Sequence, residues 1–151
     1  MKGVRKMSKV YIAAPFFNDK QLKIVEDIKA ILEEQDIEYF SPKDASMFKQ
    51  GDDPKVILWL NCTAIVCAPF MICVTDDKDV GTIWEAGYAF AKNVPILYVW
   101  LGYEPHMKFN IMLAASGQAV VHTYADLVYQ LEHYKEFGEF KAGLDGAKLH
   151  E

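Results

Sequence analysis

The chain has 151 residues, 52% of them hydrophobic, with 16 Lys and Arg against 21 Asp and Glu for a formal charge of −5. That is the length of one ordinary domain with enough apolar side chain for a core. The acidic balance, without any block of Lys or Arg, excludes nucleic acid or an anionic membrane surface as the main partner and leaves room for a small neutral or cationic ligand.

No apolar run reaches the roughly 18 residues that a membrane span needs. The opening Met1 to Met7 is basic without an apolar region, so it reads as a disordered extension over 1–8 rather than a signal peptide. Cys62, Cys67 and Cys73 lie in apolar stretches, an odd set that suggests buried, reduced thiols and a cytoplasmic home. The four histidines show no ligand spacing, so no metal site is expected.

In chain order, Lys9 to Ala14 is a first strand, ended by Pro15. Phe16 and Phe17 follow on a loop. Asn18 or Asp19 caps a helix to about Gln35, with Leu22, Ile24, Val25, Ile28, Ile31 and Leu32 as its apolar stripe. Ile37 to Phe40 is a short second strand, broken by Ser41-Pro42 before a loop through Gly51. Asp52 or Asp53, followed by Pro54, starts a helix to about Cys67. That helix is apolar on nearly all sides, which predicts burial against more than one neighbour or a place at a subunit interface.

Met71 to Val74 is a third strand. An acidic loop follows, then a helix to about Lys92, closed by Asn93 and Pro95. Ile96 to Trp100 is a continuous apolar strand of the kind buried on both faces. Asn110 to Ser116 is a short helix stopped by Gly117. Ala119 to His122 is a fifth strand, and Tyr124 to Tyr134 is a last helix with Leu127, Val128 and Leu131 inward. The domain thus runs over 9–134, with 135–151 a polar, loosely held tail. Five strands alternating with helices predict a single α/β domain with a parallel sheet and right-handed crossovers. The expected strand order is 2-1-3-4-5, the flavodoxin-like arrangement.

That topology puts the first and third strands side by side with a ligand crevice at their carboxyl ends. Phe16 and Phe17 come from one side. Asp76, Asp77, Asp79 and Glu85 come from the other. Glu85, near a helix N-terminus, feels a partly positive dipole that favours its ionised form. Tyr11 in the adjacent strand could reach it and fix which oxygen attacks. Taken alone, the pair also fits a solvated helix glutamate and a core aromatic. The acidic run likewise fits a solvated loop unless Asp79 points inward. Gly87 inside the helix costs roughly 1 kcal/mol relative to alanine, which close packing against the sheet or a ligand could offset.

Three pieces in order and spacing, Lys9-Val-Tyr-Ile-Ala-Ala-Pro-Phe-Phe17, Asp79-Val-Gly-Thr-Ile-Trp-Glu-Ala-Gly-Tyr-Ala89 and Asn110-Ile-Met112, resemble the nucleoside 2-deoxyribosyltransferase family. The resemblance spans about Lys9 to Leu131, and Asp-x-Gly-Thr-x-x-Glu-x-Gly-x-Ala is its most specific block. It implies a flavodoxin-like fold and transfer of 2-deoxyribose between nucleobases. Glu85 would attack C1′ of a 2′-deoxynucleoside and expel the base, and a second base would capture the ester with net retention. Tyr11 would orient Glu85, Asp79 with Gly81 beside it would hold the sugar hydroxyls, and Phe16 would line the base pocket. The family forms homo-oligomers built on dimers, in which Asn110 and Met112 complete the neighbour's site. No cofactor is implied.

The chain departs from the family pattern on the base side. A family Asn-Asp pair is matched by Asn61-Cys62, and a thiol is a weak hydrogen-bond partner and poor acid for that task. A family glutamine is replaced around Ser46, and Asp44 is a possible substitute acid. Two alternatives therefore stand beside transfer: a nucleoside or nucleotide N-glycosidase in which water replaces the acceptor base, and a nucleoside-binding or sensing protein with weak chemistry.

Overall fold

The computed structural model describes residues 8–45, 53–142 and 148–150. Most of the predicted N-terminal extension, and Ser46, lie outside these. The chain forms β1 (Val10–Ala13), α1 (Asp19–Glu34), β2 (Tyr39–Phe40), α2 (Pro42–Ala45), α3 (Pro54–Cys67) and β3 (Met71–Val74). It continues with a 3-10 turn (Asp76–Lys78), α4 (Val80–Ala91), β4 (Ile96–Val99), β5 (Lys108–Asn110), α5 (Ile111–Ser116), β6 (Ala119–Val121), α6 (Tyr124–Phe137) and β7 (Lys148–His150).

The main sheet is parallel, in the order β2-β1-β3-β4-β6. This is the expected flavodoxin-like order. The last strand takes the number six because a further strand, β5, forms between β4 and α5. Strand alternation splits the core in two. Val10, Ile12, Ile72, Val74, Leu97 and Val99 pack with Ile24, Val25, Ile28 and Leu32 of α1 and with Leu127 and Leu131 of α6. Tyr11, Ala13, Met71, Cys73, Ile96 and Tyr98 face Ile65 of α3, Ala86 and Ala89 of α4 and Ala114 of α5. The helices that follow β1 and β3 therefore lie on opposite faces, and a crevice opens between their first turns.

Several expectations need correction. The helix over 54–67 forms as predicted, capped by Asp53 with Pro54 in its first turn, but Ile65 is its one buried side chain. Trp59 is 66% exposed, and Val56, Leu58, Leu60 and Val66 are also exposed. Among the described residues, α3 is therefore not buried against several neighbours. Of the cysteines Cys73 is buried, Cys62 is half-buried and Cys67 is exposed. The segment after Ser41-Pro42 makes the helical turn α2. The tail is less loose than its polarity suggests: α6 continues to Phe137, Gly138 ends it at φ 73°, and β7 pairs with β5. Phe140 is buried against Phe70 and Tyr134, with ring centroids 4.8 and 5.0 Å away. Val128 is half-buried rather than inward.

Gly117 stops α5 as expected, but not through a left-handed conformation, since its φ is −105°. A Cβ there would lie 2.5 Å from the Tyr98 ring, whose hydroxyl is 2.7 Å from Ser116 Oγ. The ring is buried in the second core and cannot yield cheaply. Gly117→Ala should therefore destabilise the fold by about 1–3 kcal/mol. Urea unfolding measures this, and an unchanged midpoint would refute the close-approach account.

Candidate active site

Glu85 lies in the second turn of α4, whose N-cap is Asp79. Asp79 Oδ2 accepts the Thr82 backbone N–H at 2.9 Å and the Thr82 hydroxyl at 2.8 Å. Thr82 is buried. One carboxylate oxygen is thus fixed by the helix start, and Oδ1 remains for another partner. The capping pattern Asp-x-x-Thr was legible in the sequence, although Thr82 was not singled out there. Gly81 leaves room beside this carboxylate, since a Cβ would lie 3.4 Å from Asp79 Oδ2.

Tyr11 is fully buried on β1, with Phe40 of β2 stacked on it at 5.5 Å and 18° between planes. Phe40 is a further wall that sequence reasoning did not assign. The Tyr11 hydroxyl lies beside the Glu85 carboxyl, close enough to lower its pKa, yet no hydrogen bond closes between them. Among the described residues, Tyr11 Oη and Glu85 Oε2 are both buried without a hydrogen-bond partner.

Burial outweighs every other influence on Glu85. It pushes the carboxyl up to about 7, against the pull of Tyr11 and with a smaller push from the Asp79 charge. The expectation that the helix dipole favours the ionised form of Glu85 is therefore corrected: desolvation disfavours the charged form more than the helix start favours it. Tyr11 is raised well beyond its ordinary range by burial, then by the neighbouring Glu85. Cys73 is raised by burial and then by Glu85, which marks it as an inert thiol beneath the site. Cys62, half-buried on α3, adds to the rise at Tyr11 and so stands on the same side of the sheet as the pair.

The remaining candidates fall in different places. Phe16 is half-buried on the loop after β1, its ring 5.1 Å from that of the exposed Phe17. Asp44 is drawn to Lys29 of α1, with Nζ 2.7 Å from Oδ2 and 2.9 Å from Oδ1. Lys29 is buried and also bonds Glu26 at 3.1 Å, so Asp44 acts here as an anchor for α2. Asp76 departs from the solvated reading of the acidic run. It is buried, and its carboxylate accepts the Leu101 and Gly102 N–H groups at 2.9 and 2.7 Å.

Asn110 caps α5, with Oδ1 accepting from the N–H groups of Met112 and Leu113. Met112 is 75% exposed. Both line a cavity of about 300 Å³ with Trp100, Phe109, Ile83 and Lys78. That cavity does not include Glu85, so the chain does not by itself bring Asn110 and Met112 to the carboxylate. Among the described residues, no group of three His, Cys, Asp or Glu side chains is set to hold a metal ion. Among the same residues, no helix is long and apolar enough to cross a membrane.

The sequence profile described as nucleoside 2-deoxyribosyltransferase matches residues 10–131. The chain belongs to the nucleoside 2-deoxyribosyltransferase family. This places it among enzymes. The fold is similar to that of a solved 2-deoxyribosyltransferase from Bacillus psychrosaccharolyticus, at TM-score 0.74 and 24% identity over 90% of this chain and 99% of that one. It is also similar to a conserved protein from Enterococcus faecalis V583, at TM-score 0.73 and 17% identity over 84% and 98%. A CMP N-glycosidase from Clostridium botulinum aligns at TM-score 0.57 and 20% identity over 82% and 98%. No curated protein matches the chain.

The raised Glu85 pKa has a consequence for stability. A carboxyl at 4.5 in the unfolded chain and about 7 in the folded one binds more protons when folded between those values. Stability from Glu85 is therefore present below about 4.5 and lost as pH rises to about 7. Glu85→Gln should stabilise the fold at pH 8 by up to roughly 3 kcal/mol and have little effect near pH 4. Urea unfolding at the two pH values tests this. An equal effect at both would show that Glu85 is not desolvated.

Proposed function

We propose that the protein transfers 2-deoxyribose between nucleobases through a covalent ester on Glu85. The observation that supports this most is the half-buried Glu85, whose Oε2 is shut off from solvent, with the Tyr11 hydroxyl and the Asp79 carboxylate beside it at the carboxyl ends of β1 and β3. As the base leaves, positive charge develops at C1′. A carboxylate stripped of water gains more from that charge than from a neutral sugar, so its interaction strengthens in the transition state. The Glu85 oxygen forms a bond to C1′ while the C1′–N bond breaks and its electron pair goes to the base. A second base then attacks C1′ from the face the first base left, opposite Glu85, and the C1′–O bond breaks to return the carboxylate, so two inversions give net retention.

In this reading Tyr11 orients Glu85, Asp79 Oδ1 takes a sugar hydroxyl, and Phe16 lines the base side with Cys62 near it. The substrates are a 2′-deoxynucleoside and a free nucleobase, with neither nucleic acid nor membrane as partner, and the setting is cytoplasmic. Hydrolysis is the second reading. The half-buried thiol Cys62, where the family pattern has an aspartate, and the likeness to a CMP N-glycosidase favour it. Incubation with a deoxynucleoside, with and without a second free base, separates the two. A new nucleoside indicates transfer, and free base with deoxyribose alone indicates hydrolysis. Glu85→Ala should lower either rate by on the order of 10³ or more. Turnover near the wild-type rate would sink the mechanism.

The working form in this proposal is a homo-oligomer. Trp84 is 52% exposed and stacks on Tyr88 along the outer face of α4, with ring centroids 5.6 Å apart. Next to it α3 presents Trp59, Leu60 and Val66. Gly87 sits on this face, and a Cβ there would meet nothing of its own chain within 4 Å. The expected packing of Gly87 against the sheet is thus absent, while a second copy could approach it closely. Such pairing would let Asn110 and Met112 reach the neighbour's crevice. Trp84→Glu should therefore yield monomers in sedimentation and lose most turnover, although Trp84 points away from the sheet. A monomer with wild-type activity would refute the shared site.

A further inference from the structure

We propose that Gln21 is a positioning residue that ties the two loops of the crevice together and so sets the distance between Phe16 and Asp79. The inference rests on the functional reading above, since it takes those two residues to flank the substrate. Gln21 is a buried polar residue in the first turn of α1, on the same face as Ile24, Val25, Ile28 and Leu32. Its backbone N–H bonds Asn18 Oδ1 at 2.9 Å. Its side chain spans the crevice. Oε1 accepts the Phe17 N–H at 2.8 Å, and Nε2 donates to Asp77 Oδ2 at 3.0 Å.

Each end of the amide therefore holds a different loop. The first bond fixes the backbone one residue beyond Phe16. The second fixes a turn in which Asp77 and Lys78 have φ of 66° and 49°, the left-handed region that residues with a Cβ rarely adopt. The residue after that turn is Asp79. On its other side the same turn is held by Asp76, through the Leu101 and Gly102 N–H groups. The turn thus hangs between α1 and the loop after β4, and the α1 attachment is Gln21. Lys20 also approaches Asp77, but at 3.8 Å and mostly in solvent, where such a pair contributes little.

The chemistry requires an amide. Phe17 N–H needs an acceptor and Asp77 needs a donor, and glutamine supplies both from one planar group. A glutamate would keep the first bond and turn the second into repulsion. An apolar residue would lose both bonds.

The test exchanges donor and acceptor. Gln21→Glu should raise KM for the deoxynucleoside on the order of tenfold, with a smaller change in kcat and no shift of the Glu85 limb in the pH–rate profile. Gln21→Glu combined with Asp77→Asn restores an acceptor for Phe17 and a donor opposite the carboxylate, and KM should return to within about twofold of wild type. A wild-type KM in the single variant, or a double variant no better than the single one, overturns the proposal. Amide hydrogen exchange is read on the same proteins. The segments around Phe17 and Asp77 should both exchange faster in Gln21→Glu and recover in the double variant. Unchanged exchange overturns the clamp even if the wild-type chain turns over no nucleoside, a result that would count against the functional reading alone.

Discussion

The site depends on shielding one carboxylate oxygen, Glu85 Oε2, from water. Glu85 is held against Tyr11 and above Cys73, and burial pushes its pKa up to about 7. Placing a carboxyl there costs stability whenever it is charged, by roughly 1.36 kcal/mol for each unit of the shift. The parallel pairing of β1 with β3, in the register Tyr11 to Met71, brings the phenol to the helix that follows β3. Thr82 and Asp79 fix where that helix begins, and so where Glu85 sits along it.

This explains which parts were legible in the sequence. The sheet order follows from continuous apolar strands alternating with helices, and the crevice follows from the order. Asp79, Glu85 and Tyr11 were readable because their spacing fits a strand, a loop and a helix start. The charge state of Glu85 was not. A helix dipole is a local property and can be read from position, but desolvation is set by the other elements that close over the residue. Only the assembled fold reveals that the second effect wins. Gln21 and Lys29 were missed for a related reason. Both are polar residues on or beside the apolar stripe of α1, and their burial is possible because a partner distant in sequence takes up their polar ends. Asp76 looked like part of a solvated run until its two N–H donors came from a loop 25 residues further on.

The exposed apolar face is a different kind of mismatch. The sequence of α3 asks for burial on nearly all sides, and the chain alone supplies it mainly at Ile65. Scattered exposed apolar residues are normal, but α3 exposes Trp59, Leu60 and Val66 and the adjacent α4 exposes Trp84, a concentration that suits an interaction surface. The same helices carry Glu85 and Cys62. Under the proposed assembly, the face that closes the oligomer is the back of the elements that carry the chemistry.

The contrast between the two halves of the crevice follows from what base exchange would demand. The sugar stays on the enzyme through both displacements, so every contact that holds it is used twice and gains from rigidity. The structure is rigid there: Asp79 is tied by Thr82, the preceding turn by Asp76 and Gln21, and Glu85 by the sheet beneath it. The base must leave and be replaced by another. Contacts that gripped the first base tightly would slow its release without lowering the barrier to the second step. A half-buried thiol and a loop with paired aromatic rings give weakly directional contacts of low specificity. Water could enter such a half-site as readily as a base. Under the proposed function, transfer would dominate over hydrolysis only to the extent that a stacked acceptor excludes water from C1′, and that would depend on the aromatic loop that Gln21 is proposed to hold in place.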